Sequence, residues 1–223
     1  MKLKVKFSKE GMVKFISHLD SLRLFHRAVQ RAGIPILWSE GFNPHMKLSI
    51  TQPLSVGMES EGEWMEMEVE DGTDISTIAA ELNSALPPGI RILSVEEKVG
   101  KESLFGAIKT TEYRFLFPRS LYPNAEALKA SIERAEAADE IMVPRKKKQG
   151  RKKIWVDEDI RPLIHKLELE EGEDFILRAL LGAGNEGNLR PDRFLQGVFP
   201  QEDVDGVQIR RVRSLDENEK QIS

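Results

Sequence analysis

Two kinds of apolar spacing follow one another in the first 98 residues, and their order restricts the fold more than any other feature of the chain. Lys2, Lys4 and Lys6 alternate with apolar residues, as in a strand with one solvated face. A segment with helical spacing follows, then two alternating segments, a second helical segment and a last alternating one. The order strand-helix-strand-strand-helix-strand predicts a ferredoxin-like unit over residues 1–98.

The same pattern partly recurs beyond a connecting segment at residues 99–111. The second set of predicted elements consists of strands at 113–117, 164–169, 175–181 and 207–212, with helices at 124–138 and 190–198. We therefore predict an α+β protein of two tandem ferredoxin-like domains. The second domain covers residues 112–215 and carries an inserted basic β-hairpin at 141–156. Residues 216–223 are expected to form a frayed tail.

The absence of cysteine excludes several kinds of chemistry. A chain without cysteine forms no disulfide and supplies no thiolate to a zinc ion, an iron–sulfur cluster or a nucleophilic active site. No run of about 18 apolar residues is present to span a bilayer. The N-terminal segment also lacks the apolar core of a signal peptide. We expect a cytoplasmic protein that makes no membrane contact and binds no cofactor itself.

Charge is distributed unevenly along the chain, although the net charge is only −4. Residues 1–57 carry nine Lys or Arg against three Asp or Glu, whereas residues 58–105 carry three against twelve. A local basic surface attracts a polyanion even on a mildly acidic protein. The acidic stretch at 59–70 would face a partner protein or repel nucleic acid from that side.

The first predicted helix carries a stripe of arginines. Ser17 fits the N-cap of this helix, with Asp20 three residues later. Arg23, Arg27 and Arg31 are spaced by four and therefore share one helical face, where they could bind phosphate. The alternative is an ordinary solvated helix face.

A polar loop with aromatic residues follows this helix. Gly41 permits unusual backbone conformations, and the pair Asn43 and Pro44 predicts a turn. His45 and Lys47 bring two candidate phosphate contacts to the start of the next strand. Phe42, like Trp38, either stacks on an unpaired base or fills the core beneath the loop.

Three of the four histidines lie in this region and suggest two further hypotheses. His18 and His26 are eight residues apart, and no HxxxH or HxH spacing supports a metal site. A histidine that titrates near neutral pH could instead act in RNA cleavage beside arginines, which makes His18, His26 and His45 candidate catalytic residues. The arginine stripe favours recognition over catalysis, and an enzymatic role stays open.

The segment at residues 145–153 contains seven basic residues in nine and is predicted to be a hairpin tip. Such a tip binds phosphates in a salt-dependent way, or it is a solubilising loop that protects a sheet edge. The candidate nucleic-acid contacts here are Arg145, Lys146, Lys147, Lys148, Arg151, Lys152 and Lys153.

A glycine-rich loop precedes the last predicted helix and is a candidate phosphate loop. The candidate residues are Gly184, Gly187, Asn188 and Arg190, whose backbone amides and side chain could receive a phosphate. The loop lacks the Gly-Lys-Ser/Thr ending of a Walker loop. A flexible turn before a short helix is the alternative.

The motifs FISHLD, RLFHRAVQRAGIP, SEGFNPHMKLSI and PLSVG, together with NLRP after the glycine-rich loop, resemble the radical SAM-linked family of bacterial proteins of unknown function. The resemblance covers most of the chain. It implies a radical SAM protein as partner and an RNA-related setting, because members are fused to or encoded beside such enzymes. The partner would then carry the iron–sulfur cluster and S-adenosylmethionine.

A remoter, topological similarity is to the RNA-binding proteins associated with CRISPR repeats, some of which cleave RNA with a histidine. Together these resemblances imply an accessory subunit that binds RNA or ribonucleoprotein for a radical SAM enzyme in RNA or ribosome maturation. Two alternatives remain, a metal-independent endoribonuclease and a pure protein-interaction module.

Overall fold

The computed structural model describes residues 1–100, 102–150, 152–185 and 187–222, without the side chains of Gln149 and Lys152. Over these ranges the protein contains five α-helices and strands that pair mostly antiparallel. The predicted α+β class is therefore confirmed. The chain divides into two compact units, which are Met1–Ala107 with Arg210–Arg213 and Gln221–Ser223, and Ile108–Ile209 with Ser214–Lys220.

The first unit follows the predicted order of elements. Its elements are β1 (Lys2–Lys9), α1 (His18–Arg31), β2 (Leu48–Ile50), β3 (Glu59–Glu68), α2 (Ile75–Ala85), β4 (Ile90–Glu97) and the short helix α3 (Leu104–Ala107). β1 lies between β4 and β3, and β2 pairs with the other edge of β3. All of these pairings are antiparallel.

Alternation along β1 produces the core of the first unit. Leu3, Val5 and Phe7 are buried on the face of β1 that α1 and α2 cover. The ring of Phe7 packs edge-on against Phe25 of α1, with centroids 4.7 Å apart. The side chain of Ser17 accepts a hydrogen bond from the backbone N–H of Asp20 at 3.2 Å, so the predicted N-cap is confirmed.

The second unit contains the longer set of elements. These are β5 (Thr110–Phe117), α4 (Ala125–Ala137), β6 (Met142–Gln149), β7 (Lys152–Asp159), β8 (Ile164–Glu171), β9 (Phe175–Gly182), α5 (Pro191–Val198) and β10 (Gln208–Leu215). The strand order is β10-β5-β9-β8, and the last two pairings are antiparallel. Aromatic contacts join β5 to the C-terminal helix region, with Phe115 and Phe194 centroids 4.9 Å apart.

The inserted hairpin forms a separate two-stranded sheet. β6 and β7 pair antiparallel from Met142 opposite Asp159 to Gln149 opposite Lys152. Val143 and Ile160 are buried at its base, which anchors the hairpin in the core of the second unit. The two strands span residues 142–159, so the hairpin ends three residues beyond the predicted range of 141–156.

The middle of β10 contributes a buried ion pair to the first unit. Arg210 and Arg211 pair in parallel with Glu59 and Ser60 of β3. Nη1 of Arg211 lies 2.9 Å from Oε2 and 3.0 Å from Oε1 of Glu63, and both side chains are at most 5% exposed. The same guanidinium donates to the backbone carbonyls of Gln52 and Pro53. Because the charges compensate each other and are hydrogen-bonded, they are tolerated away from water.

The expectation of a frayed tail is wrong for the part of the tail that the structure describes. Asp216 receives backbone hydrogen bonds from Asn218 and Lys220 through its carboxylate. Ile222 is only 4% exposed. The prediction rested on the mostly polar composition of this segment and did not consider its one apolar side chain. Burial of that side chain stabilises the position of the segment.

Candidate nucleic-acid interface

The arginine stripe of α1 borders a groove in the first unit. Arg23, Arg27 and Arg31 lie along it, facing residues 85–87 at the end of α2, and the groove has a volume of about 560 Å³. Arg23 pairs with Asp20 at 2.9 Å, and Arg31 donates to the carbonyl of Ala85 at 2.5 Å. Within the described part of the chain, Arg27 has no ion-pair partner. The three residues therefore share one surface, and Arg27 is the member least engaged by the protein itself.

The loop before β2 presents its aromatic residues to solvent. Phe42 is fully exposed, and Trp38 is 49% exposed. Met46, which is 3% exposed, belongs to the core of the first unit. Phe42 therefore does not fill the core beneath the loop and is available for stacking, whereas Trp38 is half-buried.

Lys47 is engaged by the protein. Its Nζ donates to Oε2 of Glu68 at 2.9 Å, and Lys2 approaches the other oxygen of the same carboxylate at 3.4 Å. These two ammonium groups hold the pKa of Glu68 below its usual range. Lys47 would have to leave this ion pair in order to contact a phosphate.

The histidines do not form one cluster. Nδ1 of His45 lies 2.7 Å from Oγ of Ser39, which also accepts from the backbone N–H of His45. Nε2 of His26 is buried, and no hydrogen-bond partner is found for it among the described residues. Burial, and then the nearby imidazole of His45, lower the pKa of His26. His18 lies half-buried at the start of α1.

The lowered pKa of His26 predicts a loss of stability in mild acid. The folded state binds the proton less tightly than the unfolded chain, whose histidine titrates near pH 6.5. The contribution is therefore fully present above that pH and is lost as the pH falls below it. We expect the free energy of unfolding in urea to decrease between pH 7.5 and 5.5, and to decrease less in His26→Gln. Equal decreases in the two proteins would contradict this account.

The basic hairpin places its distal lysines in solvent. Lys147, Lys148 and Lys153 are exposed, and no carboxylate among the described residues forms an ion pair with them. Arg145, nearer the base, pairs with Glu158 at 2.5 Å. Arg151 lies outside the described residues, and Lys152 contributes only its backbone to the description.

Strand register divides the hairpin into two faces. Lys146 lies opposite Trp155, and Lys148 lies opposite Lys153. Cross-strand partners project to the same side, as do residues two apart on one strand. One face therefore carries Trp155 and three lysines; we name it the Trp155 face and define it by Lys146, Lys148, Lys153 and Trp155. Sequence reasoning missed Trp155 as a candidate contact, although its spacing of two from Lys153 would place both residues on one face of a strand.

The glycine-rich loop and the base of the hairpin border the same groove, which lies in the second unit. Its volume is about 920 Å³, and its lining includes Lys146, Trp155, Gly184, Asn188 and others. One candidate residue of the loop, Arg190, is already engaged, and so is the backbone of its neighbour Leu189. Arg190 pairs with both carboxylate oxygens of Asp192 at 2.9 and 3.0 Å, and the backbone N–H of Leu189 donates to Gly182. Asp192 places an anionic group in the first turn of α5, which disfavours a phosphate there. Gly187 packs closely against Leu163.

A family of bacterial proteins matches most of this sequence. The family described as "Uncharacterized protein conserved in bacteria (DUF2344)" matches residues 2–191. The chain belongs to this bacterial family. The matched range includes α1, the loop before β2, the basic hairpin and the glycine-rich loop, so every candidate residue lies within the family's sequence.

Among solved structures, a chain from the crystal structure of a Cbf5-Nop10-Gar1 complex is similar, with a TM-score of 0.48 and 12% sequence identity. The similarity covers 95% of this chain and 48% of that chain, so the protein spans about half the length of its structural neighbour. No curated protein matches the sequence.

Two kinds of feature are absent from the described residues, a membrane-spanning helix and a metal-binding cluster. These residues contain no helix that is both long and apolar enough to cross a membrane. They also contain no group of three or more His, Asp or Glu side chains placed to hold a metal ion.

Proposed function

We propose that this protein is an accessory subunit that binds RNA or ribonucleoprotein and presents it to a radical SAM enzyme. The observation that carries the proposal is the group of exposed hairpin lysines, for which the described part of the chain offers no carboxylate partner. Lys148 lies directly opposite Lys153, where like charges repel each other, and Lys147 is the neighbouring residue on the same strand. A polyanion relieves this repulsion and releases its own counterions.

Basic residues elsewhere in the second unit support this interpretation by contrast. Lys129 pairs with Glu171 at 2.7 Å, and Lys166 pairs with Glu168 at 2.6 Å. A merely solubilising surface would mix charges in this way. The distal hairpin does not, so nucleic-acid binding explains its composition better than solubility does.

A second contact is proposed in the first unit. Arg27 lies in the groove beside α1 with no ion-pair partner among the described residues, and Phe42 is exposed on the loop that follows α1. In this proposal Arg23, Arg27 and Arg31 position the phosphate backbone, while Phe42 stacks on a base. His45 and Lys47 adjoin a smaller cavity of about 230 Å³ and complete the proposed surface.

The radical SAM partner is proposed from the family resemblance and from composition. The chain contains no cysteine, so iron–sulfur ligands for such chemistry must come from another polypeptide. A ferredoxin-like topology is proposed for both units, and the strand orders β4-β1-β3-β2 and β10-β5-β9-β8 support it.

RNA binding by the purified protein is the first test. We expect log affinity for a labelled single-stranded RNA to fall linearly with log salt, with a slope of about −0.7 per phosphate contacted. A co-purification from native cells should recover the radical SAM protein together with RNA. The absence of RNA affinity at low salt would reject the proposal and favour a pure protein-interaction module.

A metal-independent endoribonuclease is the second candidate, and one observation favours it. Burial, and then the charge of the His45 imidazole, lower the pKa of His26, which favours the neutral imidazole that a general base requires. The test is RNA incubation in EDTA. Cleavage that disappears in both His26→Ala and His45→Ala would establish the nuclease, and intact RNA would reject it.

A further inference from the structure

The Trp155 face of the hairpin has an exposed aromatic ring among lysines. Trp155 is 65% exposed, although tryptophan is among the side chains that gain most from burial. The ammonium of Lys146 lies 4.8 Å from the centroid of the indole. Lys148 and Lys153 continue the same face toward the tip of the hairpin.

The ring of Trp155 lies outside the core of the second unit, so core packing does not explain its position. The hairpin is anchored at its base by Val143 and Ile160, which are 1% and 0% exposed. Trp155 lies further out, four positions before Asp159, where the hairpin forms its own two-stranded sheet. An aromatic ring that is exposed at this distance from the core is available to bind a partner molecule.

The groove beside Trp155 contains acidic residues, and each is compensated within the second unit. Glu158 is paired with Arg145 and Arg193, and Asp192 is paired with Arg190. The carboxylate of Asp159 accepts backbone hydrogen bonds from Ile141 and Arg161. Asp157 is exposed and lies two positions from Trp155 on the same strand, so it shares the Trp155 face. That face therefore carries three lysines against one carboxylate, and its net charge is positive.

We propose that Trp155 stacks on an unpaired base of single-stranded RNA, with Lys146, Lys148 and Lys153 on the neighbouring phosphates. This inference rests on the proposed function and names its substrate class. Stacking of a base on an aromatic ring is stronger than an exposed cation–π contact, so a base displaces Lys146 from the indole. The freed ammonium then reaches a phosphate.

Single-stranded RNA fits this surface, and duplex RNA does not. In an A-form duplex the bases are stacked on one another, and the deep major groove does not admit side chains. Only a splayed, unpaired base presents its flat face to Trp155. The lysines contact phosphate in either form, so stacking is what distinguishes the two substrates.

The test compares single-stranded and duplex RNA of equal length, measured by fluorescence anisotropy. We expect Trp155→Ala to weaken binding of the single strand about tenfold and binding of the duplex less than about twofold. Trp155→Phe should recover most of the affinity, because it keeps a stacking ring. Phe15→Ala, which removes an exposed aromatic from the first unit, serves as the matched control and should change neither affinity.

A second measurement checks the contact directly. In a protein whose Trp38 and Trp64 are replaced by phenylalanine, Trp155 is the sole tryptophan, and single-stranded RNA should quench its fluorescence. If Trp155→Ala affects both RNAs equally or neither, and no quenching occurs, the stacking contact is overturned while salt-dependent binding still supports the proposed function. If the unmodified protein binds neither RNA, the proposed function fails and the stacking contact fails with it.

Discussion

Replacing Lys147, Lys148 and Lys153 with alanine is expected to lower the affinity for single-stranded RNA about 100-fold at about 0.1 M salt. Each lysine that neutralises a phosphate contributes roughly 0.7 to the slope of log affinity against log salt. Loss of three contacts should therefore reduce that slope by about 2. A salt titration of anisotropy measures both quantities.

The matched control removes the same charge from lysines that the protein already pairs. Lys4, Lys129 and Lys166 form ion pairs with Glu96, Glu171 and Glu168. Their triple replacement by alanine changes the net charge equally and should leave the slope within about 0.5 of the unmodified protein. Similar losses in the two triple variants would show that overall charge, and not the hairpin, governs binding.

Glu63→Ala is expected to destabilise the first unit by about 3–5 kcal/mol. The substitution leaves the guanidinium of Arg211 buried without its counter-charge, and that group is only 5% exposed. Trp64, the neighbouring residue on β3, is 5% exposed and reports unfolding of this unit. Urea denaturation followed by Trp64 fluorescence, with Trp38 and Trp155 replaced by phenylalanine, measures the loss.

Glu96→Ala is the control for this experiment. Glu96 pairs with Lys4 at 3.1 Å, but its side chain is 51% exposed, so its removal should cost no more than about 1 kcal/mol. A double replacement, Glu63→Leu with Arg211→Met, removes both buried charges and should recover much of the stability. Equal costs for Glu63→Ala and Glu96→Ala would refute the role given to the buried pair.

Local patterns predicted the features that depend on neighbouring residues. Ser17 caps α1 because its hydroxyl lies beside the N–H of a residue three positions later, and this contact needs no distant partner. The lysine alternation of β1 and the two strands of the hairpin follow from spacing alone. The extent of the hairpin was close to prediction because its charged turn and flanking apolar residues are contiguous.

Features that depend on distant residues escaped prediction. The pair of Glu63 and Arg211 joins positions 148 residues apart, and each residue alone resembles an ordinary surface charge. Ile222 is buried by a unit from which it is remote in sequence. The ion pair of Lys47 with Glu68 could not be predicted either, because the sequence around Lys47 does not show that Glu68 lies beside it in the fold.

The position of Arg211 has a consequence during synthesis of the protein. At about 5–20 residues per second, the ribosome adds Arg211 roughly 7–30 s after Glu63. Throughout that interval the carboxylate of Glu63 lacks its hydrogen-bonded guanidinium partner. A recombinant fragment that stops at Ala107 would lack residues 210–213 and would therefore not reproduce the first unit. The boundaries of this unit are not those of one continuous segment of the sequence.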